Sequence, residues 1–125
     1  MRLLLDTHIY LWWVKGASQL SQTNRELISN AVEVYVSSAV FWEIVIKIKL
    51  KKLDVNLHEL MDALEKSGFL ELPITMKHTA EVIRLPNLHR DPFDRIMIAQ
   101  AMSEPLNFLT VDKQLHQYSE LVKVI

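Results

Sequence analysis

Short apolar segments alternate along the chain with longer segments in which apolar residues recur every three or four positions. The short segments predict strands, at 3–5, 32–37, 69–73, 106–110 and 121–125. The longer segments predict helices, at 21–30, 38–53, 57–67, 75–84 and 92–104, with a helix or turn at 7–16 and a short helix at 112–117. Strands that alternate with helices are typical of an α/β protein with a mainly parallel sheet and helices on both of its faces.

The segment HRDPFDRIMIAQA, residues 89–101, places several charges at the start of an apolar helix. Asp91 suits the N-cap, Pro92 suits the first helical position, and Asp94 lies at the third, near the positive end of the helix dipole. Taken alone, this pattern is explained by the requirements of a helix start. Any further role for Asp94 has to be argued from the rest of the chain.

Composition and charge narrow the class of protein. The chain has 125 residues, half of them hydrophobic, with two glycines and four prolines, which predicts one folded domain over residues 1–125. A formal net charge of −1 does not favour a protein that coats nucleic acid by charge alone. The absence of cysteine excludes disulfides and thiolate metal sites. No apolar run reaches the roughly 18 residues of a membrane span, and Asp6 and His8 interrupt the apolar N-terminus, so we expect a soluble cytoplasmic protein.

Two predicted strands run directly into an acidic residue. Asp6 follows the strand at 3–5, and Asp112 follows the strand at 106–110 after one intervening valine. Either residue could simply cap the helix that comes next. In open α/β sheets, however, ligands bind beyond the carboxyl ends of the strands, and both acids lie there.

Two helices add further acids to the same edge. Glu43 is the only charged residue between Ser38 and Lys47, and at 1.5 Å per residue it stands about 6–8 Å from the end of the preceding strand. A pair with Lys47 on an exposed stripe, worth about 0.2–0.5 kcal/mol, is the structural alternative. Asp94 begins a helix that leads into the fourth strand, so it also starts at the carboxyl edge.

The sequence therefore predicts four carboxylates at one rim of the sheet, from Asp6, Glu43, Asp94 and Asp112. Carboxylates this close repel one another and cannot all stay ionised without compensating positive charge. Oxygen ligands without cysteine suit Mg²⁺ or Mn²⁺. Zinc is not favoured, because none of the five histidines shows ligand spacing with these acids. Such a metal site suits the hydrolysis of phosphodiester bonds by an activated water.

The chain also resembles a known family. The segments LLLDTHIYLWW, SSAVFWEIVIKIKLKKL, LPNLHRDPFDRIMIAQA and FLTVD have the order and spacing seen in PIN-domain proteins, and within them the VapC-type toxins of bacterial toxin–antitoxin pairs. The resemblance implies a three-layer α/β/α fold and a Mg²⁺- or Mn²⁺-dependent endoribonuclease that uses the same four acids. It also implies a homodimer, a cognate antitoxin, and a structured RNA substrate such as tRNA or rRNA. The chain departs from the family in lacking a glycine after the WEI helix, where it continues through Leu50, Lys51 and Lys52.

Several other residues are candidates for supporting roles near the acids. Thr110 is placed to hydrogen-bond a metal-bound water or a ligand carboxylate, with an ordinary strand-end role as the alternative. Thr7 is interpreted as a helix-start hydroxyl beside the site, and Asp91 is the expected cap. Arg95 is placed to pair with a site acid, to meet RNA phosphate, or to form a plain salt bridge. His89 and Arg90 are interpreted as solvated loop residues.

The lysines after the WEI helix form a basic run, made up of Lys47, Lys49, Lys51 and Lys52. They would suit phosphate contacts, whereas the structural alternative is a solvated helix end. Trp12 and Trp13 are expected to be partly in the core. The alternative interpretation is that they contact an antitoxin or a second subunit.

Three other functions are compatible with parts of the sequence. A phosphatase of the haloacid-dehalogenase kind needs a second aspartate two residues after the first, and His8 occupies that position. A response-regulator receiver needs an acidic pair after the first strand, which the chain lacks. A catalytically silent PIN-like domain that only binds RNA or protein stays open, although the presence of all four acids argues against it.

Overall fold

A computed structural model describes all 125 residues and contains one five-stranded sheet covered by helices. The strands are β1 Arg2–Leu5, β2 Glu33–Ser37, β3 Leu70–Leu72, β4 Asn107–Thr110 and β5 Val122–Val124. The helices are α1 Thr7–Lys15, α2 Gln22–Ser29, α3 Ser38–Lys49, α4 Leu57–Lys66, α5 Met76–Glu81 and α6 Pro92–Ser103, with 3₁₀ segments at Val82–Arg84 and Lys113–Tyr118. None of these helices has the length and apolar character needed to cross a membrane.

All strand pairs are parallel, and the strand order is β3-β2-β1-β4-β5. The central strand β1 pairs with β2 on one side and with β4 on the other, with Leu5 opposite Val36 and Leu109. The backbone N–H of Asp6 donates to the carbonyl of Leu109 at 3.0 Å, which extends the pairing of β1 and β4 by one residue. The ends of these two strands are therefore held side by side.

The core lies on both faces of the sheet. Leu3, Leu4 and Leu5 are all fully buried, and because successive strand residues point to opposite faces, both faces must be covered. The covering residues include Ile9 and Tyr10 of α1. The predicted three-layer α/β/α fold with a parallel sheet is confirmed.

The end of α3 differs from the prediction. The apolar pattern predicts a helix that continues to residue 53. In the structure, α3 ends at Lys49. Two residues later, Lys51 adopts a left-handed conformation with φ of 58°. The N–H of Lys51 donates to the carbonyl of Ile48 at 3.0 Å, and that of Lys52 donates to the carbonyl of Lys47 at 2.9 Å. These bonds form a Schellman motif, in which the left-handed position is ordinarily a glycine. Lys51 thus performs the backbone role of the glycine that the chain lacks.

Candidate active site

A small polar pocket lies where the carboxyl ends of β1 and β4 meet the first turns of α1 and α6 and the second turn of α3. Its volume is about 120 Å³, and it brings the four predicted acids together. The pocket is lined by Asp6, Thr7, His8, Glu43, Asp91, Asp94, Thr110, Val111 and Asp112. All but one of these side chains are polar, so the pocket suits ions and water better than an apolar ligand.

Asp6 is buried at the end of β1 and is fixed by two sets of hydrogen bonds. One carboxylate oxygen caps α1 by accepting from the N–H of Ile9 at 2.9 Å, and the other accepts from the Thr110 hydroxyl at 2.6 Å. Burial raises the pKa of Asp6, while the bonds from Thr110 and Ile9 act in the opposite direction. The capping role and the position in the pocket are therefore both observed.

Glu43 is held by two neighbours on different helices. The Thr7 hydroxyl donates to Oε1 at 2.6 Å, and the Lys47 ammonium lies 2.9 Å from Oε2. The structural pair with Lys47 and the contact with the pocket are thus compatible, because each uses a different carboxylate oxygen. Thr7 connects the first turn of α1 to the acid from α3.

Asp94 is strongly affected in its ionisation by the pocket. Asp91 caps α6 by accepting from the N–H of Phe93 at 2.8 Å and from that of Asp94 at 3.4 Å, as the sequence predicted. Burial raises the pKa of Asp94 to about 7, and the negative charges of the neighbouring acids add to the shift. The acids that contribute are Asp91, Asp6, Glu43 and Asp112. The pocket therefore holds more negative charge than its own cations neutralise.

Asp112 stands beside a histidine that the sequence interpretation placed in solvent. The ring of His89 is only 22% exposed, and its Nε2 lies 3.5 Å from Oδ2 of Asp112. Its Nδ1 accepts a hydrogen bond from the N–H of Asp91 at 3.1 Å, which orients the ring. One ligand atom from each of His89, Asp94 and Asp112 lies within 4.8 Å of the others. The expectation that no histidine is spaced to share ligands with the acids is therefore wrong for His89.

His89 is not marked as a neighbour of Asp112 by any local signal in the sequence. It lies two residues before the Asp91 cap, and the loop folds back over the start of α6 because the Asp91 N–H binds the His89 ring. Spacing along the chain does not reveal this, since the loop brings His89 to Asp112, which is 23 residues further on.

Arg95 is not brought to the acids. Its guanidinium donates to the carbonyl of Pro86 at 2.9 Å and to the hydroxyl of Tyr118 at 3.2 Å. It forms no salt bridge with a site acid, in contrast to the pairing considered from the sequence. Its role in the structure is to hold the loop that carries His89, whose carbonyl it also contacts at 3.5 Å.

The two tryptophans of α1 are partly buried against the core, as expected. The Trp13 ring N–H donates to the Ser67 hydroxyl at 3.0 Å. The exposed tryptophan is Trp42, at 61%, and its ring packs edge-on against Phe93 with centroids 5.2 Å apart. The sequence interpretation did not single out Trp42, because it lies within the mainly apolar pattern of α3.

The donor set of the pocket fits a hard divalent cation. Five carboxylates line one small space, the four predicted acids and Asp91, and Lys47 and His89 are the only basic side chains within ion-pair distance of any of them. Oxygen donors of this kind are the preferred ligands of Mg²⁺ and Mn²⁺, and an added positive charge would relieve the repulsion that raises the pKa of Asp94. The pocket is thus able to hold a divalent ion.

The family model described as PIN domain matches residues 3–121, nearly the whole chain and all of the elements that build the pocket. The chain belongs to the PIN-domain family. The resemblance seen in the sequence motifs is therefore confirmed. Within this PIN domain, the pocket is formed by the segments that carried the resemblance.

Individual relatives agree with this assignment. The chain is 25% identical over 122 residues to Ribonuclease VapC22 of Mycobacterium tuberculosis, covering 92% of this chain and 90% of the relative. Its fold is similar to the VapBC2 structure from Rickettsia felis bound to a promoter DNA fragment, with a TM-score of 0.71, 17% identity, and coverage of 98% of this chain and 96% of the other. A toxin–antitoxin complex from Klebsiella pneumoniae gives a TM-score of 0.68 at 18% identity, with the same coverage of both chains. At these identities the two structures support the fold.

Proposed function

We propose that this PIN-domain protein is an endoribonuclease that hydrolyses RNA phosphodiester bonds with the help of Mg²⁺ or Mn²⁺, and that it is the toxin of a toxin–antitoxin pair. The observation that carries the proposal is the cluster of acids around one pocket, in which the pKa of Asp94 is raised to about 7. The relative named as a ribonuclease supports RNA as the substrate.

In this proposal Asp6, Glu43, Asp94 and Asp112 are the catalytic carboxylates that hold the metal. The chemistry that a divalent ion would supply when held by these carboxylates is activation of a water at neutral pH and stabilisation of charge on the phosphoryl oxygens. Thr110 orients Asp6, and Thr7 orients Glu43, each through a 2.6 Å hydrogen bond.

In this proposal, Asp91 and Arg95 give structural support to those carboxylates. Asp91 fixes the first turn of α6 and so the position of Asp94. Arg95 holds the loop that presents His89 to Asp112. Contacts that hold a ligand residue from behind in this way fix the orientation of its ligand atoms.

The proposal extends to partners. The two toxin–antitoxin structures of similar fold support a cognate antitoxin as a protein partner. A homodimer and a tRNA or rRNA substrate, which the family resemblance implies, are parts of the same proposal. Phosphate contacts belong to it for Lys47 and Lys52, which line a groove beside the acids, and not for Lys49 and Lys51, which lie outside that groove. A cytoplasmic location is a further part of the proposal. One PIN domain over residues 1–125 likewise stays a prediction.

The direct test is cleavage of total bacterial RNA by the purified protein without antitoxin. Wild type, Asp6→Asn and the matched control Asp62→Asn would each be assayed with Mg²⁺, Mn²⁺ or EDTA, because Asp62 is an exposed acid on α4 outside the pocket. We expect discrete fragments from wild type and Asp62→Asn with metal, and none from Asp6→Asn or with EDTA. Cleavage that persists in EDTA or in Asp6→Asn would contradict the proposed site. A folded wild type that binds RNA without cutting it would favour the silent binding module.

A further inference from the structure

The acidic pocket is too small to bind a nucleotide. Its volume of about 120 Å³ equals the share of only a few water molecules at roughly 30 Å³ each. It can therefore accommodate ions, water and phosphoryl oxygens, while the base and ribose next to the scissile bond must lie outside it. This inference rests on the proposed function, since it asks where the RNA lies when its phosphate reaches the acids.

A second groove adjoins the pocket and shares Glu43 and Asp91 with it. Its volume is about 470 Å³, within the range of about 300–1,000 Å³ that is typical of small-molecule sites. It lies between the C-terminal half of α3 and the start of α6. We call it the cationic groove, and it is lined by Glu43, Ile46, Lys47, Leu50, Lys52, Arg90, Asp91, Pro92 and Phe93.

The positively charged residues of the cationic groove differ in whether they already form an ion pair. Lys47 is paired with Glu43 at 2.9 Å, so its charge is already used at the edge of the acidic pocket. Lys52 and Arg90 are exposed and form no salt bridge or side-chain hydrogen bond in the structure. Two free cations therefore flank an acidic pocket in a chain whose net charge is −1.

The left-handed turn at Lys51 decides which lysines reach this groove. Lys52 is the residue whose N–H bonds back to the carbonyl of Lys47, so the chain reverses over the last turn of α3. Lys47 and Lys52 line the groove, whereas Lys49 and Lys51 do not. The basic run is thereby divided into two groove residues and two outside it, which provides a control of equal charge.

The groove also has an apolar part. Leu50 is 58% exposed, and Phe93 is partly buried with its ring against Trp42. Apolar and aromatic surfaces of this kind bind bases in a sequence-tolerant way, while nearby cations contact the phosphates. The groove on the opposite side of α3 contrasts with it, because its lining contains Glu65 and Glu71 and neither lysine nor arginine.

We propose that the cationic groove binds the nucleotide that adjoins the scissile phosphate of a single-stranded RNA segment. Lys52 and Arg90 each contact one of the backbone phosphates that flank it, and Leu50 and Phe93 contact its base or ribose. The RNA chain then leaves the acidic pocket between α3 and α6 and avoids the groove that contains Glu65 and Glu71. Arg90, taken as a plain solvated residue from the sequence, becomes a substrate-binding residue.

The test compares two double variants that each remove two positive charges. Binding of a fluorescently labelled single-stranded RNA of mixed sequence would be followed by anisotropy over a range of salt concentrations, with EDTA present so that metal-dependent cleavage does not occur. Lys52→Ala/Arg90→Ala should weaken binding by about tenfold or more at 0.1 M salt and reduce the salt slope by about 1.4, or 0.7 for each lost contact. Lys49→Ala/Lys51→Gly should bind like wild type, since glycine keeps the left-handed turn.

A third variant separates the apolar contact from the charges. Leu50→Ser should weaken binding severalfold without changing the salt slope, because it removes no charge. Equal weakening by the two double variants would overturn the proposal, as would unchanged binding in Lys52→Ala/Arg90→Ala. With Mg²⁺, the groove variant should raise KM for RNA cleavage far more than it lowers kcat. A wild type that binds RNA through Lys52 and Arg90 yet never cuts it would refute the proposed function and leave the groove assignment standing.

Discussion

The strand β1 and the residue that follows it have opposite effects on the free energy of folding. Leu3, Leu4 and Leu5 are fully buried in the core, and their burial stabilises the folded chain. Asp6 is buried as well. Burial raises its pKa, so the charged form of this carboxyl is disfavoured in the folded protein. Asp94, brought to the same edge by α6, has its pKa raised to about 7.

This difference shows that the buried strands stabilise the fold, whereas the acids at the carboxyl edge of the sheet destabilise it. In the metal-free protein, repulsion among these acids lowers the free energy of unfolding. The fold tolerates this loss because the apolar strands beneath the acids are well packed. A group of acids retained at such a cost is typical of a functional site. Substitution of an acid should therefore lower activity without lowering stability. Substitution of a buried strand residue should lower stability without lowering the activity of the folded molecules.

The largest expected effect is on activity, from Asp94→Asn. The neutral amide is a poorer metal ligand, and losing several kcal/mol of stabilisation of the reacting phosphate should lower the rate of RNA cleavage by about 10³-fold or more. Without metal, the melting temperature should stay the same or rise, because one repelling charge is gone. Rates and thermal unfolding would be measured for this variant and for Asp62→Asn, and wild-type activity in Asp94→Asn would refute the assignment.

The opposite signature is expected for Leu4→Ala in β1. Removing a fully buried leucine side chain leaves a cavity and should lower the free energy of unfolding by about 2–5 kcal/mol. Urea denaturation measures this change, while the cleavage rate per folded molecule should stay near that of wild type. A stable Leu4→Ala protein with lost activity would mean that strand and rim are not separable in this way.

The pH dependence of stability sharpens the comparison in the metal-free protein. Asp94 keeps its proton in the folded state up to about pH 7, whereas an ordinary aspartate releases it near 3.8. Between these values the folded state binds more protons than the unfolded state, so the free energy of unfolding attributable to Asp94 decreases as the pH rises. Asp6, whose pKa is also raised, acts in the same direction.

The variant Asp94→Asn isolates that contribution. Chemical denaturation with EDTA at pH 5, 6, 7 and 8 should show wild type losing stability relative to Asp94→Asn as the pH rises toward 7. Above that value the difference between the two proteins should level off. A difference that is constant with pH, or one that changes in favour of wild type, would show that Asp94 is not held in its protonated form.

The smallest effect is expected away from the rim, at the end of α3. Lys51 adopts a left-handed conformation that costs a residue with a side chain about 1–2 kcal/mol relative to glycine. Because glycine also gives the unfolded chain more freedom, Lys51→Gly should stabilise the protein by about 0.5–1 kcal/mol. Lys49→Gly, inside the helix, is the control and should destabilise it by about 1 kcal/mol. Destabilisation by Lys51→Gly would argue against the left-handed turn.

Much of the fold followed from the sequence because its signals are local. Apolar runs gave the strands, and capping residues gave the helix starts, as at Asp91 and Pro92. The meeting of the acids followed from one topological rule, that parallel strands end at the same edge. That rule needs only the position of each acid relative to a strand end, which the pattern supplies.

The features that could not be predicted depend on contacts between distant segments. The pattern of α3 continues to Leu53, and nothing local tells that Lys51 reverses the chain. Arg95 binds the carbonyl of Pro86, in a loop, and the hydroxyl of Tyr118, at the end of a 3₁₀ segment, and no local pattern links these positions to it. His89 reaches Asp112 only because that loop is held in this way.

The most direct test of the account is metal binding to the acids themselves. Mn²⁺ would be titrated by calorimetry into metal-free wild type, Asp94→Asn and Asp62→Asn near pH 7. The account predicts that wild type and Asp62→Asn bind Mn²⁺ with release of protons, since Asp94 is partly protonated there, and that Asp94→Asn binds at least tenfold more weakly. Equal affinity in Asp94→Asn, or no binding of Mn²⁺ or Mg²⁺ by the folded wild type, would contradict it.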